Sequence, residues 1–597
     1  MCRHTVESLP DQEYCKIMEH ASLTQLEQRL MEHVKTLYPD VNALNFIKEC
    51  LDTFGIQPDA PPPQPHRNPW SQEDVVLITY GDTLRRDNEP PLHSLHDFLR
   101  TRLRQCISIV HILPFFPYSS DDGFSVMDYT TVVPTLGDWE DIAAFTREFK
   151  VMGDLVINHC SSRSLWFENY KTGQTPGADY FVEAAPDTDL TQVVRPRTSP
   201  LLREVATASG VRHVWCTFSH DQIDLNFRNP QVLLEFLRIL RLYLDKGVRW
   251  FRLDAVAFLW KTPGTSCINL PETHEMIRLL RLLIEHRAHD AVIITETNIP
   301  NHENLTYFGN ANEAHLIYNF SLPPLLINSL VTGSCEYLKK WLMSMPPAQQ
   351  GTTYLNFIAS HDGVGLRPTE GLLSDWELDA LVSTMQKFGG KASARTGPDG
   401  QPKFYEINIS LWNALSGTVQ HGPDNLGFAR FLCAHAIMLA LEGVPAFYIH
   451  SLIGTENDDE RVEHTGQLRS INRHIWRGED LDAVLQGEGH PPKVFAAMQK
   501  LIAIRRRQKA FHPNATQYTL HTGDALFSFW RQSQDRMQSI FAIHNVSDQP
   551  QTINLAELNL ISTDQWFDLI SEQIFEDRVG QIILRPYQYI WLTNVRL

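Results

Sequence analysis

Val248-Arg-Trp-Phe-Arg-Leu-Asp254 is a short apolar run that ends on a carboxylate, and it is one of eight such β-type runs between residues 75 and 449. The others are Val75-Val-Leu-Ile-Thr-Tyr80, Ile107-Ser-Ile-Val-His-Ile112, Gly153-Asp-Leu-Val-Ile-Asn158, Val292-Ile-Ile-Thr-Glu296, Leu316-Ile-Tyr318, Tyr354-Leu-Asn-Phe-Ile358 and Val444-Pro-Ala-Phe-Tyr-Ile449. Helical patterns separate them. Strands that alternate with helices pair in parallel, and eight such units close into a (β/α)8 TIM barrel of the α/β class, with functional groups at the C-terminal ends of the strands.

Two intervals exceed a simple crossover, so insertions are expected after strands 3 and 7, leaving from the face that carries the functional groups. The expected division places an N-terminal helical extension and Pro-rich linker at 1–72 and the barrel at 73–159, 248–362 and 428–513. The insertions occupy 160–247 and 363–427, and a C-terminal antiparallel β domain takes 514–597. Residues 15–55 read as helical from Leu26, Leu30, Val34 and Leu37, and the prolines from Pro58 stop that pattern.

The 597 residues carry 52 Lys+Arg against 70 Asp+Glu, a net charge of −18, which argues against a polyanionic partner such as nucleic acid. No apolar run is long enough to span a bilayer, and the start of the chain lacks a secretory apolar core. Cys2, Cys15, Cys50, Cys106, Cys160, Cys216, Cys267, Cys335 and Cys433 are scattered singly and read as free thiols of a reducing compartment. The cytoplasm is the expected location. A homodimer is left open.

Asp254, Glu296 and Asp362 each close a different apolar run. Carboxylates at the ends of buried strands are costly unless the site uses them, so three converging on one barrel mouth indicate chemistry. Arg252 shares a strand face with Asp254 and is expected to keep it ionised as a nucleophile. Apolar neighbours are expected to raise Glu296 into the range of a general acid. Nucleophile plus acid/base is the retaining arrangement of glycoside chemistry.

Asp154-Leu-Val-Ile-Asn-His159, Arg252-Leu-Asp254, Thr295-Glu296 and His361-Asp362, in this order, resemble the four conserved regions of glycoside hydrolase family 13. His111-Ile-Leu-Pro-Phe-Phe-Pro117, Asp121-Asp-Gly-Phe-Ser-Val-Met-Asp-Tyr129, His361-Asp-Gly-Val-Gly365 and Arg469-Ser-Ile-Asn-Arg-His474 narrow the resemblance to its sucrose phosphorylase-like members. It implies Asp254 as nucleophile, Glu296 as acid/base and Asp362 as the third carboxylate. His159, His361, Arg252, Phe124, Asp121 and Arg469 would then hold one terminal glucose. Arg195 and Arg197, around Pro196, are candidates to bind phosphate as co-substrate.

Those arginines, the segment Arg212-His-Val-Trp-Cys-Thr-Phe-Ser219 and the N-terminal extension resemble glucosylglycerate phosphorylases more than sucrose phosphorylases. Phosphorolysis of a small α-glucoside follows, with glucosylglycerate the expected substrate. Sucrose, sucrose 6′-phosphate and glucosylglycerol are the alternatives, followed by a hydrolase or transglucosylase on the same scaffold. In Tyr405-Glu-Ile-Asn408 a glutamate, Glu406, stands where sucrose phosphorylases typically carry glutamine. Either Glu406 pairs with an arginine, or it points away, or the acceptor is neutral. Neither a metal nor an organic cofactor is expected, since Asn158 alone is a weak calcium signal.

Overall fold

A computed structural model describes residues 24–57, 61–64, 67–396, 402–558, 561, 563, 565–577 and 579–596. All eight apolar runs are strands: β1 (Val76–Thr79), β2 (Ile109–Ile112), β3 (Lys150–Val156), β4 (Val248–Asp254), β5 (Val292–Thr295), β6 (Leu316–Tyr318), β7 (Thr353–Phe357) and β8 (Val444–Tyr448). They close in the order β1-β2-β3-β4-β5-β6-β7-β8, with β8 returning to β1 and every pair parallel. Their nearly unbroken apolar character has a physical cause: side chains on one face fill the barrel and those on the other meet the helix layer, so both faces are buried. The register sets Asp154 opposite Arg252 and Val156 opposite Asp254 across β3 and β4, while Thr295 of β5 lies opposite Leu253.

Among the described residues the N-terminal region forms two helices. α1 (Gln25–Leu37) starts on a Thr24–Glu27 capping box, and the chain breaks through Tyr38-Pro39 before α2 (Ala43–Phe54) begins on Asn42. Proline at 39 is the local reason for the break. Residues 15–23 of the expected helix, and part of the linker after Pro58, lie outside the described residues. The two helices belong to the main hydrophobic core. His33 Nδ1 lies 2.8 Å from Glu275 of α4 (Pro271–Arg287), and Arg241 of α3 (Pro230–Asp245) donates to the Thr53 carbonyl at 3.1 Å.

The segment 160–247 contains more than an insertion. Its last part is α3, which begins on Asn229 with Pro230 in its first turn and packs as the barrel helix ahead of β4. The part outside the barrel layer precedes it and includes the hairpin Leu202–Thr207/Gly210–Trp215 and a short strand, Gln222–Asp224, paired with His159–Ser161. After β7, Val364–Gly365 and the hairpin Lys391–Thr396/Pro402–Asn408 form a small sheet over the same barrel end. Beyond residue 515 an antiparallel six-stranded sheet and a separate strand pair make up the C-terminal β domain.

The described cysteines, Cys50, Cys106, Cys160, Cys216, Cys267, Cys335 and Cys433, are buried free thiols; Cys2 and Cys15 lie outside the described residues. Among the described residues no helix is long and apolar enough to cross a membrane.

Candidate active site

A pocket opens where β4, β5 and β7 end, and the loops after β3 and β7 form its walls. Asp254, Glu296, Asp362, Asp121, Phe124, His159, Arg252, His361, Arg469, Arg197, Tyr405 and Glu406 all line it. Arg195 does not. Pro196 and Arg197 turn toward the pocket, whereas Arg195 is half-buried, its Nε and Nη2 are enclosed without a hydrogen bond, and burial lowers its pKa.

Arg252 organises the floor. Its Nη1 donates to Asp154 Oδ1 at 2.5 Å and to Asp254 Oδ1 at 2.7 Å, and its Nη2 stands 3.9 Å from Glu296 Oε1. Asp154 is also bound by His111 Nε2 at 2.7 Å. Ala255, held at φ 51°, turns its N–H onto Glu296 Oε2 at 3.0 Å. A left-handed alanine is strained, and strain of this kind gathers at sites whose surroundings over-determine the backbone.

These neighbours alter the expected electrostatics. Burial pushes the Asp254 carboxyl well above its ordinary range; Arg252 opposes this, while Glu296, Asp154 and Asp362 add to it. Arg252 therefore does not hold Asp254 low, because burial outweighs it and its charge is also shared with Asp154. Burial also raises Glu296, against Arg252 and with Asp362. The two carboxyls titrate together, and one proton between them suits a buried pair of like charges. Asp254 has the direct guanidinium bond, so the proton belongs on Glu296, which has only the amide of Ala255 within hydrogen-bonding distance. For Asp362 burial is outweighed by Arg469, then His361, Arg252 and Arg473, and its carboxyl is held far below the usual range.

Arg469 settles the alternatives left open for Glu406. Its Nε and Nη2 bind Glu406 Oε1 and Oε2 at 3.0 and 2.6 Å, and its Nη1 contacts Asp362 Oδ1 at 2.5 Å. Gly363 makes this possible, since a Cβ there would lie 2.4 Å from Glu406 Cγ. The glutamate's charge is thereby consumed within the wall. Phe124 stacks on His361 at 5.1 Å and 8°, and both ring nitrogens of buried His361 lack a hydrogen bond. Burial lowers the pKa of both His361 and His159 below the ordinary histidine value. His159 Nε2 lies 3.0 Å from the Phe124 carbonyl, and Gln222 reaches Asp121 Oδ2 at 3.2 Å.

Sequence reading missed several wall residues: Gln222, Phe218, Phe258, Asn298 and Arg367. Gln222 starts the short strand Gln222–Asp224, Phe258 and Arg367 lie in single 3-10 turns, and Phe218 and Asn298 lie in loops, so no helical period or barrel-strand end marks them. It also missed Lys261, whose ammonium binds Asn158 Oδ1 at 2.6 Å and Asp224 Oδ2 at 2.7 Å. Asp224 additionally accepts from Thr217 N at 2.8 Å and Thr217 Oγ1 at 2.6 Å. A calcium ion at Asn158 does not fit this arrangement, because a fixed cation already holds the oxygens it would need.

Two neighbouring strand-end carboxyls on one guanidinium, beside a third carboxylate tied to arginine, define the class as a retaining glycosidase-type barrel. The comparisons agree. A model of the alpha amylase catalytic domain matches residues 105–365. The chain is 40 % identical over 579 residues to the glucosylglycerate phosphorylase of Allomeiothermus silvanus, covering 96 % of this chain and 100 % of the relative. It is 41 % identical over 534 residues to that of Escherichia coli, covering 89 % and 93 %. The crystal structure of sucrose 6F-phosphate phosphorylase from Thermoanaerobacter thermosaccharolyticum superposes with a TM-score of 0.69 at 26 % identity, over 79 % of this chain and 94 % of that one. The chain belongs to the alpha-amylase family, glycoside hydrolase family 13, in the group that holds the glucosylglycerate and sucrose phosphorylases.

Proposed function

We propose that the chain is a glycoside phosphorylase that cleaves 2-O-α-glucosylglycerate with inorganic phosphate, giving α-glucose 1-phosphate and glycerate. The observation that supports the chemistry is the shared guanidinium: Arg252 stands 2.7 Å from Asp254 and 3.9 Å from Glu296, so both carboxyls face one cation, as a nucleophile and an acid/base working on one glycosidic bond would. Asp254 attacks the anomeric carbon while Glu296 gives its proton to the departing glycerate oxygen. A phosphate oxygen then attacks the glucosyl-enzyme from the opposite face, releasing Asp254, and the proton it sheds returns to Glu296. Two inversions retain the α configuration.

Asp362, His361, His159, Asp121 and Arg469 grip the hydroxyls of one glucose, and the Asp362–Arg469–Glu406 chain closes the pocket behind it. His361 Nε2 stands 3.3 Å from Asp362 Oδ2, and its buried Nδ1, which has no hydrogen bond, is left for a sugar hydroxyl. Arg197, over the Tyr405 ring at 5.6 Å, faces the acceptor end and offers a cation to phosphate or to a carboxylate. The substrate is supported by relatives named glucosylglycerate phosphorylases that align along nearly the whole chain. The proposal includes a cytoplasmic enzyme, open to homodimer formation, that needs phosphate as co-substrate and no standing cofactor.

The acceptor is tested in the reverse direction. Phosphate released from α-glucose 1-phosphate is measured with glycerate, glycerol, fructose and fructose 6-phosphate, and glycerate is expected to give the largest kcat/KM. A larger value for another acceptor would replace glycerate. No phosphate release with any of them would remove the phosphorylase.

A further inference from the structure

We infer that Arg367 is the residue that recognises the acceptor's carboxylate and so makes the pocket select an acid over a neutral polyol of the same size. The inference rests on the glucosylglycerate reading above. Arg367 lines the same pocket as Asp254 and Glu296. Its side chain is only 12 % exposed, and its Nε is buried without a hydrogen bond. The nearest carboxylate, Glu370, stands at 4.0 Å and is already bound by Arg395 at 2.6 Å. A guanidinium this enclosed, with a donor unspent, has charge and hydrogen bonding left for a ligand.

The loop that carries it is held in place. Leu366 N donates to the Tyr405 carbonyl at 2.9 Å, and Ser321 Oγ donates to the Pro368 carbonyl at 3.2 Å. Gly365 lets that loop press on Asn298, since a Cβ there would come within 2.5 Å of Asn298 Nδ2, and Asn298 Oδ1 is itself buried without a partner. The Arg367 loop is thus tied to Tyr405, the residue over which Arg197 lies. No ion pair to Arg197 is found among the described residues, whereas Arg469 and Arg252 are spent on carboxylates. The floor therefore takes a neutral sugar and the wall keeps two cations for an anion. A small 2-hydroxy acid meets both demands: its hydroxyl oxygen is the leaving group and its carboxylate fits a planar guanidinium fork.

The test compares glycerate with glyceramide, its neutral isostere, as acceptors for α-glucose 1-phosphate, in the native enzyme and in Arg367→Gln and Arg367→Lys. The ratio of the two kcat/KM values cancels any change on the donor side. The native enzyme should prefer glycerate, and Arg367→Gln should cut that preference by about 30-fold or more, the size expected for a lost charge-assisted bond. Arg367→Lys, which restores a charge without the fork, should fall between, and it carries the test if the glutamine variant does not fold. An unchanged preference in a folded variant overturns the role of Arg367 alone. A native enzyme that cannot use glycerate overturns the substrate reading and this inference with it.

Discussion

Asp254→Asn is expected to lower kcat/KM for phosphorolysis by about 10⁴-fold or more, a loss of ~5 kcal/mol of barrier stabilisation. The fold should survive. Burial and three nearby carboxylates raise the Asp254 pKa, so the folded state binds its proton more tightly than the unfolded chain does. The carboxylate consequently costs stability as pH rises from its ordinary range through the raised value. Asparagine removes that cost, and Arg252 keeps Asp154 at 2.5 Å. The expected result at pH 7 is a thermal midpoint equal to or above that of the native protein, together with loss of activity for every donor. Residual phosphorolysis above about 1 % of the native rate would exclude Asp254 as nucleophile.

Lys261→Met should have the largest effect on stability, because it strands the buried Asp224 carboxylate without its counter-ion. Removing one member of a buried pair costs about 3–5 kcal/mol. The loss is local in origin: Asp224 pairs with His159 across a short antiparallel ladder that also carries Gln222, so the variant should lose glucose binding along with thermal stability. The double variant Lys261→Met/Asp224→Asn should recover much of the midpoint, since it leaves no unpaired charge. A chelator should change neither the midpoint nor the rate of the native enzyme. A single variant as stable as the native protein would show that the ammonium does not tie the first insertion to the barrel.

Sequence carried the barrel and its carboxylates for one reason. Strands buried on both faces must be apolar along their length, so Asp254 and Glu296 stand out against them. What it concealed depended on contacts between distant segments. The Glu406–Arg469 pair joins residues 63 apart and the Lys261–Asn158 bond residues 103 apart, and neither spacing leaves a local trace. Arg367 follows His361-Asp362 in a loop, where an arginine is by default a solvated charge. The pKa of Asp254 was misjudged because burial raises it beyond what Arg252, its neighbour in sequence, offsets, and that guanidinium also binds Asp154 from another strand. The helix α3 was read as part of an insertion because it follows the rest of that insertion directly, with only Asn229-Pro230 to mark its start.

The central claim is that phosphate, not water, resolves a glucosyl-enzyme formed on Asp254. Incubating the enzyme with 2-O-α-glucosylglycerate, with and without phosphate, and reading the product anomer by proton NMR tests it directly. α-Glucose 1-phosphate that forms only with phosphate, in step with glycerate, is the predicted result. β-Glucose 1-phosphate would contradict the double displacement, and free glucose released equally fast without phosphate would contradict the phosphorylase.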